Sequence, residues 1–68
     1  MKPATIVFDN GRARVPCLVR DLTEAGARLK VGPEAEVPEL FELEIGTAAP
    51  RRTHVVWKAD RQLGVAFD

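Results

Sequence analysis

Apolar and polar residues alternate with a period of two through most of the chain. Ala13, Val15, Cys17 and Val19 alternate with Arg12, Arg14, Pro16, Leu18 and Arg20, the period of an extended segment with one face to a core and one to water. Phe41, Leu43 and Ile45 alternate with Glu42 and Glu44, and Leu63, Val65 and Phe67 with Gly64 and Ala66. "PATIVF" (residues 3–8) is rich in β-branched and aromatic side chains and runs into "DNG", whose residues tolerate positive φ. These runs predict strands, the first two joined by a hairpin. Pro16 removes one ladder donor, which predicts an edge or a bulge at that point.

Two segments compete with this reading. In "DLTEAGARLKVG", Asp21 and Glu24 mimic a helix-capping box, and Leu22, Ala25 and Leu29 fall at helical spacing. Gly26, however, occupies what would be the helix interior, and Ala27, Leu29 and Val31 alternate with Arg28 and Lys30. A turn followed by a strand is therefore the preferred expectation. In "GPEAEVPELFELEIG" a helix is blocked by Pro38, which would cost about 3 kcal/mol or more in a helix interior. At most one helical turn is expected, over Pro33–Glu36. The tail "RRTHVVWKADRQLGVAFD" reads as two strands around "ADRQ", with Trp57, Phe8, Phe41 and Phe67 assigned to the core and Arg51 and Arg52 to a solvated turn. The pattern predicts an all-β fold of six short antiparallel strands, a barrel or sandwich rather than a βαβ sheet.

The 68 residues suffice for one domain, and a chain of this size buries only about 60% of the surface exposed when unfolded. Cys17 is the single cysteine, so no internal disulfide forms, and no Cys and His stand at zinc-ligand spacing. A reducing, cytoplasmic setting is the expectation. The opening residues contain no apolar run long enough for a signal peptide or a membrane span, so neither export nor membrane insertion is expected. Ten basic residues balance ten acidic ones, which argues against binding a nucleic-acid polymer. The charges are unevenly spread: three more bases than acids lie in residues 1–32, five glutamates stand alone in residues 33–50, and two more bases than acids lie in residues 51–68. Such zoning suits a small anionic ligand or a protein partner.

The candidate chemistry lies in "RDLTEAGARL". Asp21, Thr23 and Gly26 either form a local Asx- or Ser/Thr-type turn, with Gly26 at positive φ, or cradle a ligand. Taken in order, "VRDLTEAGARL", "LFELEIG" and "VVWKADRQLGVAFD" resemble the PilZ domain, a bacterial β-barrel module known as a receptor for cyclic di-GMP. The resemblance rests on the D/N-x-S-x-x-G pattern, matched by Asp21, Thr23 (a threonine for the usual serine) and Gly26. It rests equally on V-x-W … L-G-V-x-F, matched by Val55, Trp57, Leu63, Gly64, Val65 and Phe67. It implies a single PilZ-like domain over residues 1–68 acting in second-messenger signalling. The family's other half-site is R-x-x-x-R ahead of the first strand. No two arginines here are four positions apart, and Arg12 and Arg14 in the hairpin do not match it.

A doubly anionic dinucleotide is gripped by guanidinium forks that stack on bases and donate paired hydrogen bonds. Losing two such contacts weakens binding by roughly a hundredfold or more. On this reading Asp21 accepts from a guanine edge, Thr23 donates to a phosphate oxygen, Gly26 admits the ligand to the backbone, and the missing cations come from Lys2, Arg20 or a partner chain. Cyclic di-GMP binds weakly, without a cofactor. The alternative is a degenerate PilZ adaptor that binds no nucleotide and works through protein contacts. Cys17 is expected as a buried apolar group and His54 on a strand surface. With no nucleophile–base pair, metal cluster or phosphate loop in the sequence, the chain is not expected to be an enzyme.

Overall fold

The computed structural model describes residues 1–68 and contains β1 (Lys2–Phe8), β2 (Ala13–Leu22), β3 (Gly26–Lys30), β4 (Leu40–Ile45), β5 (Arg51–Ala59) and β6 (Gln62–Phe67). The six strands close into a barrel in the order β1-β2-β3-β6-β5-β4, with all neighbours antiparallel. Of the two all-β architectures that the alternation allows, barrel and sandwich, this is the barrel, the one that the resemblance implies. No helix is long and apolar enough to cross a membrane.

The strand faces follow from the period of two. Ala4, Ile6, Cys17, Val19, Leu29, Phe41, Leu43, Leu63 and Val65 point into one core, with Phe8, Val15 and Phe67 half-buried against it. Burial of each large aliphatic side chain contributes about 1.5–3 kcal/mol. Thr53 is the one buried polar side chain, and its hydroxyl donates to the Arg51 carbonyl at 2.9 Å. The β1–β2 connection turns as the sequence predicts, with Asp9 and Asn10 both at φ 54° and Gly11 at φ 83°.

Residues 31–39 carry the chain from β3 across to β4. Val37 in this crossing is buried in the core and closes one end of the barrel, where Lys58 Nζ donates to its carbonyl at 3.1 Å. Over Pro33–Glu36 the chain forms no helical turn: Ala35 N donates to Gly32 O at 3.2 Å, a β-turn with Pro33 at its second position. Pro16 lies in the part of β2 that pairs with β1 but lies beyond the reach of β3, so its missing donor leaves no ladder bond unmade.

Two bulges break the alternation. In β2 the register shifts between Val19 and Asp21, and in β5 between Val55 and Trp57. Each inserts one extra residue, Arg20 or Val56, and rotates the succeeding residues to the other face. Asp21, which would continue the inward series after Val19, therefore points outward. Trp57 is likewise outside the core, 43% exposed and lying across Gly64, which corrects its assignment to the interior. Arg51 and Arg52 are strand residues of β5, not turn residues.

Candidate functional site

The β2–β3 connection is held by Thr23. Its backbone N–H donates to Gly26 O at 2.9 Å, and its Oγ1 accepts from Ala25 N and Gly26 N at 3.2 Å each. Thr23 Oγ1 also lies 3.3 Å from Gly26 O. The hydroxyl is thus engaged inside a Ser/Thr-type turn and sets the shape of the loop. Gly26 does not adopt positive φ, contrary to expectation. A Cβ there would lie 2.1 Å from Val65 O and 3.1 Å from Ala66 Cα, so the glycine is required because β3 and β6 approach too closely for any side chain.

Asp21 stands opposite Arg28 in the β2–β3 register. Its Oδ2 accepts from Arg28 Nε at 2.7 Å and from Arg28 Nη2. Oδ1 has no partner among the protein's hydrogen bonds, and Asp21 lines a shallow depression of about 420 Å³ together with Thr23, Gly26, Arg28 and Ala66 among others. Because Arg28 holds one carboxylate oxygen, the group is fixed in orientation while the other remains free to accept.

The register extends this feature across the barrel. Asp21, Arg28, Gly64 and Trp57 form one outward row over four strands. Beside it runs a second row of Gly26, Ala66, His54 and Leu40. Gly26 and Ala66 therefore floor a shelf beside the Asp–Arg pair, and the indole lies beyond it over Gly64. A Cβ on Gly64 would lie 2.1 Å from Trp57 Nε1, so the indole packs flat on the glycine. Across three strand spacings of about 4.8 Å each, the backbones of Asp21 and Trp57 stand roughly 14 Å apart. His54 Nδ1 lies 2.6 Å from Asp68 Oδ1 at its border.

Lys2 and Arg20, the cations chosen from the sequence, are not brought together. Arg20 is the extra residue of the β2 bulge, exposed and without an ion pair. Lys2 overhangs the end of the barrel opposite Val37, in a cavity of about 540 Å³ that it shares with Thr23 and Arg51. Sequence reasoning missed Arg28, Arg51 and the outward Trp57. The alternation of Ala27–Val31 already placed Arg28 outward, but nothing local revealed its partner. Cys17 is buried, and desolvation raises its thiol pKa from 9.0 to about 11.

A family model described as PilZ domain matches residues 1–68. No curated protein and no solved structure matches the chain.

Proposed function

The chain belongs to the PilZ domain family, whose members serve in general as cyclic di-GMP-binding signalling modules, and from that premise we propose that this domain binds cyclic di-GMP on the shelf between Asp21 and Trp57. The observation that carries the reading is the pair of bulges. Without Arg20 and Val56 as extra residues, Asp21 and Trp57 would point into the barrel; with them, both stand at opposite ends of one outward row. A bulge that re-aims a side chain is a feature of functional surfaces.

Each residue has a chemical role in this reading. Asp21 Oδ1 accepts from the N–H edge of guanine, Arg28 orients that carboxylate and presents its own guanidinium plane, and Trp57 offers an aromatic face for stacking. Thr23 and Gly26 shape the turn and bring β3 against β6. Affinity is modest because no R-x-x-x-R pair occurs in the chain. The domain acts as a cytoplasmic binding module rather than an enzyme.

The test is a titration of the purified protein with cyclic di-GMP, followed by calorimetry and by emission of Trp57, the sole tryptophan. Saturable heat and a change in emission are expected, weakened on the order of tenfold by Asp21→Ala or Arg28→Ala. Silence in both signals at high micromolar ligand defeats the proposal. A second reading, an adaptor that engages a protein partner, draws on the exposure of Val56 (62%), which precedes Trp57 on β5, and of Leu40 (67%) on the neighbouring β4. Nucleotide silence combined with complex formation abolished by Val56→Asp supports it instead.

A further inference from the structure

The end of the barrel opposite Val37 is framed by two cations that the sequence places far apart. Lys2 continues the inward series of β1 (Ala4, Ile6), and Arg51 that of β5 (Thr53, Val55). Both side chains therefore overhang the same mouth, a cavity of about 540 Å³ whose floor includes Leu43 and Ile45. The Arg51 guanidinium carbon sits 3.8 Å above the centre of the Phe67 ring. Stacking of this kind holds the planar fork in place while leaving its N–H donors free. Neither Lys2 nor Arg51 has a carboxylate within ion-pairing distance, in contrast to Arg12, Arg14 and Arg28. The one acid at the mouth, Glu24, pairs with neither.

We propose that this mouth is a phosphate-ester subsite, with Arg51 as the oriented fork and Lys2 as the second cation. Thr23 lines both the mouth and the Asp21–Arg28 shelf, so a ligand whose base lies on the shelf brings its phosphate to the mouth. The inference rests on the cyclic di-GMP reading for the identity of the ligand. It adds a phosphate contact from the start of β5, outside both motifs that carry the family resemblance. Glu24 opposes an anion here and tunes affinity downward.

Two nuclear magnetic resonance titrations of the intact chain, one with inorganic pyrophosphate and one with cyclic di-GMP, test it through the backbone amides and the Arg51 Nε–H signal. Pyrophosphate is expected to shift Lys2, Thr23 and Arg51. Arg51→Ala is expected to weaken that binding on the order of tenfold, Arg51→Lys to restore part of it, and Glu24→Gln to tighten it. Dispersed spectra of each variant confirm that it is folded. Shifts at Asp21 and Arg28 with cyclic di-GMP, but none at Arg51 with either probe, overturn the subsite and leave the shelf standing. Shifts at Arg51 with pyrophosphate, but none anywhere with cyclic di-GMP, keep the anion site and overturn the dinucleotide as its ligand. Silence with both probes overturns both.

Discussion

Gly26 and Gly64 are required for different reasons, and the difference is measurable. A Cβ on Gly26 meets the backbone of β6 at 2.1 Å, whereas a Cβ on Gly64 meets the indole of Trp57 at the same distance. Backbone in a closed barrel has nowhere to go, while an outward side chain can rotate away. Gly26→Ala is therefore expected to destabilise by about 3 kcal/mol and Gly64→Ala by about 1 kcal/mol, read as urea midpoints. Gly64→Ala alone should shift Trp57 emission to the red; equal losses of stability would refute the distinction. Cys17 supports a second prediction. Burial raises its pKa from 9.0 to about 11, so the folded state holds the thiol proton more tightly than the unfolded state. That contribution is complete below the unfolded value and is lost as pH climbs through about 11. Stability of the wild type should fall more steeply than that of Cys17→Ala across this window, and parallel profiles would contradict the assignment.

Among the elements, the turns and bulges decide more than the strands. Strand existence follows from alternating residues such as Phe41, Leu43 and Ile45, which were legible because sheet periodicity is local. The bulges at Arg20 and Val56 were not, because an extra residue is defined only against the partner strand it fails to match. The two-residue connection Asp60–Arg61 between β5 and β6 places Arg61 at φ 60°, a left-handed conformation that costs a side chain about 1–2 kcal/mol. Glycine avoids this at an entropic cost of about 0.5–1 kcal/mol. Arg61→Gly should accordingly stabilise by about 0.5 kcal/mol, provided that Val31 N keeps its 3.0 Å bond to the residue-61 carbonyl. A lower melting temperature for this variant would show that the Arg61 side chain has a role beyond the turn.

For the barrel taken entire, closure removes free edges and ties every strand to two neighbours. Loss of any one strand exposes the same core, centred on Ile6, Leu29 and Leu43. Unfolding is expected to be a single transition, with Trp57 emission and far-ultraviolet circular dichroism coincident in urea; separate midpoints would reveal a strand pair that melts alone. Closure also redistributes charge. The acidic strand β4 lies between β1 and β5, so Glu42 faces Arg52, and Glu44 Oε1 reaches Arg14 Nη2 at 2.6 Å across β1. The charge blocks seen along the chain therefore become mixed on this face of the barrel.

That this chain forms strands, where its hairpins turn, and that Asp21, Thr23 and Gly26 belong together could all be read from the residues in order, because hydrophobic alternation, turn chemistry and a short motif are each written within a few positions. Folding alone established which way Asp21 and Trp57 point, that Arg28 orients the carboxylate, that Gly26 answers to Val65 rather than to a left-handed turn, and that Lys2 and Arg51 line one mouth. Those outcomes depend on register between strands and on which strands closure makes neighbours. Residues distant in the chain settle both, through the one arrangement that buries the core.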